Sequence, residues 1–103
     1  MQSKFTLYLK LFNFQKYLYL LVHNFPKEYK YTLGQSIIDT AWETLDSVIS
    51  ANVSSNSLKA EKLIRTSESF DRLKTRLRMA HELKLIPYSK YSYIIKENEG
   101  IGN

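Results

Sequence analysis

Only two prolines and three glycines interrupt 103 residues, so the backbone has few places to turn sharply. Hairpin-rich β folds need turn residues at every reversal. Here Pro26 and Pro87 stand between long stretches, with Gly34 isolated and Gly100 and Gly102 weakening only the last helix's end. Such a chain is expected to form long helices joined by short connections. Hydrophobic residues at 44% and charged residues at 24% suit a globular protein rather than a disordered chain. The length fits one domain over residues 1–103. Eight Tyr, five Phe and one Trp supply bulk for a bundle core.

Periodicity then divides the chain. Between Phe5 and Phe25 the residues Leu11, Phe14, Leu18, Leu21, Val22 and Phe25 recur at helical spacing, and Pro26 ends the run. The remaining aromatics Tyr8, Phe12, Tyr17 and Tyr19 make this helix apolar on more than one side, as suits a central helix or one in an oligomer interface. Lys27 to Tyr31 reads as a polar connection, with Thr32 as N-cap and Gln35 as its capping-box partner. A second helix follows through Leu33, Ile37, Ile38, Ala41, Leu45, Val48 and Ile49, fading in Asn52-Val53-Ser54-Ser55-Asn56. Ser57 can cap a third helix. In it Leu63, Phe70, Leu77 and Lys84 fall at intervals of seven, and Thr66, Leu73 and Ala80 fall three after the first three. That is a heptad-like seam ending by Pro87. Ser89 then caps a fourth helix from Lys90 to about Glu99, with Tyr91, Ile94 and Ile95 as its apolar face. The expected fold is all-α: an antiparallel up-down-up-down four-helix bundle with a short fourth helix.

Several function classes fall away. With no cysteine, disulfide frameworks, thiolate nucleophiles and Cys-based zinc sites are excluded. His23 and His81 stand alone in different helices, and no second histidine follows His81 at metal-binding spacing. Asp39, Glu43 and Asp46 share a helix face, which reads as a solvated face paired with lysines. No glycine-rich phosphate loop is present. Neither a catalytic site, a metal site nor a cofactor is expected. Lys10 and Lys16, with Asn13 and Gln15 alongside, break the apolar N-terminal stretch well short of the roughly 20 residues a membrane span needs. Nor does Asn24-Phe25-Pro26-Lys27 offer a signal cleavage site. A cytoplasmic protein with no membrane role is expected.

Charge is the informative remainder. The net charge is +5, divided as +4 over residues 1–31, −3 over 32–56, +4 over 57–86 and zero beyond. An acidic helix thus precedes a basic one. Residues 72–78 read Arg-Leu-Lys-Thr-Arg-Leu-Arg, and Arg65, Arg72 and Arg76 lie close to one stripe because they are seven and four residues apart. Arginine's planar fork suits phosphate. The same residues can equally serve as a solvated face paired with Glu61, Glu68, Asp71 or the acidic helix.

Specific residues carry a resemblance. Phe25-Pro26-Lys27 followed by Tyr31-Thr32-Leu33-Gly34-Gln35 resembles the junction between the first two helices of the Avd proteins, the accessory variability determinants of diversity-generating retroelements. The likeness continues through Leu45, Ile49, Ala51-Asn52, Phe70-Asp71-Arg72-Leu73-Lys74, Arg76-Leu77-Arg78, Leu83, Leu85-Ile86, Tyr91 and Ile101-Gly102. Bundles encoded in ribosomal RNA intervening sequences share the fold, but their Ser-Ile-Pro-Ser-Asn-Ile-Ala-Glu-Gly-like stretch is replaced here by Ser36-Ile37-Ile38-Asp39-Thr40-Ala41. The resemblance implies a non-catalytic protein that forms a pentameric barrel with a basic surface. It implies binding of RNA or DNA and of a reverse transcriptase in support of mutagenic copying. Carried onto this chain, it names Arg65, Arg72, Lys74, Arg76 and Arg78 as the nucleic-acid-binding surface, with five copies pooling their charge. Family members continue the last helix past Ile-Gly, whereas this sequence ends at Asn103, so a short fourth helix is expected. The alternative is a structural or protein-interaction bundle, akin to the intervening-sequence proteins, with no nucleic-acid role.

Overall fold

The computed structural model describes residues 4–102. Helices α1 (Lys4–His23), α2 (Lys27–Tyr29), a π-helical turn (Lys30–Gly34), α3 (Gln35–Asn52), α4 (Asn56–Glu82) and α5 (Tyr88–Gly102) follow in order. Since α2, the π turn and α3 are contiguous, they form one helical rod, and the described residues make four helices and no strand. The core of α1 is the one its spacing predicts: Leu11, Phe14, Leu18, Leu21, Val22 and Phe25 are all buried.

The junction after α1 corrects the sequence reading. Lys27 to Tyr31 is helical rather than a connection. Pro26, whose fixed φ suits a helix start, accepts from the backbone N–H groups of both Tyr29 and Lys30 at 2.9 Å. The rod therefore begins directly after the proline. Thr32 lies inside it and donates its hydroxyl to the Glu28 carbonyl at 2.9 Å, while the Gln35 amide donates to Asp39 Oδ1 at 2.9 Å. Neither serves in a capping box.

Gly34 then has a specific task. It is buried, and a Cβ at this position would stand 2.7 Å from Val22 Cγ1 and 3.2 Å from the Tyr29 carbonyl oxygen. Only a residue without a side chain lets the rod press against the end of α1 at this depth. Beyond it α3 buries Ile37, Ile38, Ala41, Leu45, Val48 and Ala51. The buried hydroxyls of Thr40 and Thr44 are satisfied by the carbonyls of Ser36 at 2.7 Å and Thr40 at 2.9 Å. Leu33 is only half-buried, and Ile49 is exposed.

The N-cap of α4 is Ser55, not Ser57. Its backbone carbonyl accepts from Leu58 and Lys59 at 3.1 and 2.9 Å. The seam on α4 is built from Thr66, Phe70, Leu73, Leu77 and Ala80, all buried. Leu63 is exposed at the edge, and Lys84 is not in the helix at all. Instead α4 ends at Glu82, with Lys84 in a left-handed conformation at φ 66°. Lys84 N–H donates to the His81 carbonyl and Leu85 N–H to the Ala80 carbonyl, both at 2.9 Å. That is the paired closure of a Schellman motif.

α5 starts at Tyr88, directly after Pro87, whose carbonyl accepts from Tyr91 N–H at 3.0 Å. Ser89 thus lies in the first turn and is not the cap. The helix also runs past the expected end at Glu99 to Gly102. Tertiary contact overrides the glycine penalty there. Ile101 is buried among side chains that include Leu7, Leu11 and Phe70, and Lys10 Nζ donates to the Gly100 carbonyl at 3.2 Å. Ile94 is fully buried, whereas Ile95 is exposed.

Replacing Gly34→Ala should destabilise the fold by about 1–3 kcal/mol, the usual cost of an overpacked contact. The double variant Val22→Ala/Gly34→Ala should lose less than the sum of its two single changes, because Val22 Cγ1 is the clashing atom. Chemical denaturation of the four proteins measures this cycle.

Candidate nucleic-acid interface

On an ideal helix each residue advances about 100°, so steps of seven and four return nearly to the same line, while a step of two crosses to the opposite side. α4 obeys this arithmetic. Its buried residues face inward, Arg65, Arg72 and Arg76 occupy the edge beside α3, and Lys74 and Arg78 occupy the other edge beside α5. The five candidates therefore form two flanks rather than one surface.

On the α3 side, Arg65 pairs with Glu61 at 3.2 Å and lines a groove with Asp46 and Ser47. Arg72 Nη2 reaches Glu43 Oε2 at 3.4 Å and donates to Ser69 Oγ at 3.1 Å. Arg76 is held most firmly. It is half-buried, donates Nε–H to Ser36 Oγ at 2.7 Å, and donates from Nη1 to the Arg72 carbonyl at 3.1 Å. The acidic face of α3 thus meets the arginine stripe directly. Glu43, Asp46, Glu68, Arg65 and Arg72 line a shared open groove of about 370 Å³, in which three carboxylates face two guanidinium groups.

On the α5 side, Lys74 pairs with Asp71 at 3.2 Å, and its ammonium lies 5.0 Å from the Phe70 ring centre. It borders an open groove of about 550 Å³ with Tyr91, Ile95, Asn98 and Glu99. Arg78 donates Nε–H to Glu82 Oε2 at 2.7 Å. That hydrogen bond and the carboxylate's charge push the guanidinium pKa further up, so Arg78 is a permanent cation.

The ion pairs are exposed, with side chains 43–74% accessible. Pairs of this kind are worth about 0–1 kcal/mol, so a phosphate can displace the carboxylates at small cost. Arg76 differs, because its partners are a hydroxyl and a backbone carbonyl rather than an acid.

The sequence reading gave the first helix a second apolar side through Tyr8, Phe12, Tyr17 and Tyr19, but it did not join Phe5, Trp42 and Ile49 to it in one exposed strip. On α1, Phe5, Phe12 and Tyr19 are exposed at intervals of seven, and on α3 Trp42 and Ile49 are exposed at the same interval. Trp42 Nε1–H donates to the Tyr19 hydroxyl at 2.9 Å, joining the two helices across the surface. The seven-residue spacing of the α1 aromatics was visible in the sequence, but the side of the helix that faces out was not. His81 Nδ1 lies 2.9 Å from the Ile86 carbonyl, and its ring stacks on Tyr91 at 4.1 Å between centres. Among the described residues, no cluster of His, Asp and Glu is placed to hold a metal, and no helix is long and apolar enough to cross a membrane.

A family model described as bAvd-like matches residues 5–103. No match is found among curated proteins or among solved structures.

Because the Arg72–Glu43 pair is exposed, Arg72→Gln and Glu43→Gln should each change unfolding free energy by about 0.5 kcal/mol or less. Arg76→Ala should cost about 1–2 kcal/mol, since it removes two hydrogen bonds and the packing of a half-buried stem. Urea titrations of the three variants measure this order.

Proposed function

The chain belongs to the bAvd-like family, and from that premise we propose that it is a non-catalytic accessory protein of a diversity-generating retroelement. In this reading it binds the template RNA or its cDNA copy, together with the element's reverse transcriptase, and supports mutagenic copying in the cytoplasm. The observation that carries the proposal is the extent of the family match, residues 5–103, nearly the whole chain.

Three features of the molecule support it. The net charge of +5 gives a bias toward polyanions, and α4 displays Arg65, Arg72, Lys74, Arg76 and Arg78 along two flanks. Arg65, Arg72, Lys74 and Arg78 are held by exposed carboxylates that phosphate oxygens can replace. The strip of Phe5, Phe12, Tyr19, Trp42 and Ile49 suits burial against further copies, as a homopentamer requires, and assembly would pool the charge of five chains.

The proposed topology is a single bundle with antiparallel, up-down-up-down helices. The pairings Arg76–Ser36 and Arg72–Glu43, followed by Lys62–Ser54 just past the end of α3, run in opposite senses along the two segments. Tyr17–Tyr93 and Lys10–Gly100 do the same for α1 and α5. The α5 of 15 residues against 27 for α4 makes the fourth helix the shorter of that pair.

A second reading, an interaction bundle with no nucleic-acid role, is favoured by the acid-paired state of those four cations. Fluorescence anisotropy with labelled RNA and DNA separates the two. The accessory reading expects affinity that falls steeply with salt, and a loss of about tenfold or more for Arg72→Gln/Arg76→Gln/Arg78→Gln with helix content unchanged by circular dichroism. Absence of binding by the unaltered protein even at low salt would leave the interaction bundle. Light scattering on a sizing column should give a mass near five protomers; a monomer or dimer would remove the pentamer from the proposal.

A further inference from the structure

Every cation of α4 except Lys59 has a side-chain partner, whereas a group of lysines elsewhere has none. Lys27, Lys30, Lys84 and Lys90 make no side-chain hydrogen bond or ion pair among the described residues. All four lie at one end of the bundle: Lys27 and Lys30 in the first turns of the rod, Lys84 in the link after α4, and Lys90 in the first turn of α5. Arg76 stands against Ser36, so the last turns of α4 run beside the π turn. Tyr93 stands against Tyr17, so the start of α5 runs beside the last turns of α1. The corner after α1 and the link between α4 and α5 are thereby brought to the same end. Residues 23–34 and 82–90 hold those four lysines against Glu28 and Glu82, and Glu82 is already taken by Arg78.

Two exposed aromatic rings stand at this end. Tyr31 is 67% accessible and Tyr88 78% accessible. Tyr31 also borders an open groove of about 270 Å³ with Tyr19, His23, Lys30 and Gln35. Lysines without acidic partners, set around exposed rings, match what a single strand offers: phosphates for the ammonium groups and unpaired base faces for the rings. A duplex hides those faces within its stack.

Lys84 adds an independent sign. It occupies the left-handed C′ position of the Schellman motif at φ 66°, where glycine carries no steric penalty. A lysine there is conformationally costly, and its stem is exposed, so packing does not account for it. Outliers of this kind concentrate where a side chain is used.

We propose that this end of the bundle is a contact surface for single-stranded nucleic acid, with phosphates held by Lys27, Lys30, Lys84 and Lys90 and a base stacked on Tyr31 beside the groove. The proposal rests on the nucleic-acid reading above and assigns it a surface distinct from the α4 flanks.

The test is anisotropy with a fluorescein-labelled, non-self-complementary single strand, as RNA and as DNA, and with the duplex of the same sequence. Lys27→Gln/Lys30→Gln should weaken single-strand binding about tenfold and lower the salt slope by about 1.4, at ~0.7 for each lost phosphate contact. Tyr31→Ala should lose about tenfold on the single strand and little on the duplex, with Tyr31→Phe close to the unaltered protein. Lys84→Gly should separate stability from binding: the melting temperature rises by about 4 °C or more, while affinity falls. If the unaltered protein binds but these variants bind equally well, the surface is wrong and the general reading survives. If the unaltered protein binds no strand, the general reading fails, and this surface with it. Loss of affinity with reduced helix content would be discounted against the Tyr31→Phe and Lys84→Gly proteins, which keep or gain stability; unchanged binding by Lys84→Gly would overturn the role of Lys84.

Discussion

The arrangement depends on the close contact between Gly34 and Val22. A side chain at position 34 would collide with Val22 Cγ1, so its absence sets how deeply the second helical rod seats against α1. Pro26 fixes where that rod begins, and the π turn at Lys30–Gly34 adjusts its phase before α3 starts. The buried stripe of Ile37, Ala41, Leu45 and Val48 follows in register from that seat. It meets α1 on one side and α4 on the other. A larger residue at the junction would shift every layer above it, because close-packed side chains tolerate little displacement.

Much of this was legible in the sequence, for identifiable reasons. Long apolar periodicities named the buried hydrophobic residues of α1, and Pro26 and Pro87 marked two of the breaks. Local capping logic failed at Thr32, Ser57 and Ser89, because the backbones of Pro26, Ser55 and Pro87 start their helices earlier. Periodicity also could not see that Gln15, polar and flanked by apolar residues, is buried with neither amide atom paired. The basic stripe was legible as spacing, but spacing on one helix does not reveal what stands on the next. The splitting of the five candidates between two flanks became visible only once α3 and α5 were placed on either side of α4.

Charge is distributed on two principles within this one molecule. Along the barrel of the bundle, α4 and α3 mostly neutralise each other, and their ion pairs lie at the surface, where water and salt weaken them. At the end, Lys27, Lys30, Lys84 and Lys90 make no such pair among the described residues. A polyanion approaching the molecule would meet the unscreened end first. It would engage the flanks only by displacing carboxylates, an exchange whose balance shifts with ionic strength. Net charge alone understates such a surface, because it averages neutralised and free cations together.

The helices do not share the core evenly. α3 buries eight residues, whereas α5 buries Ile94 and Ile101 alone, two turns apart, with the His81–Tyr91 stack securing its base. Regions with few buried side chains open at lower free energy than the whole molecule. On this ground α5, joined to α4 across the break at Pro87, is the helix expected to open most readily. Its amide hydrogens are expected to exchange faster than those of α3. Such an opening would uncover the apolar side chains of α1 and α4 that α5 packs against.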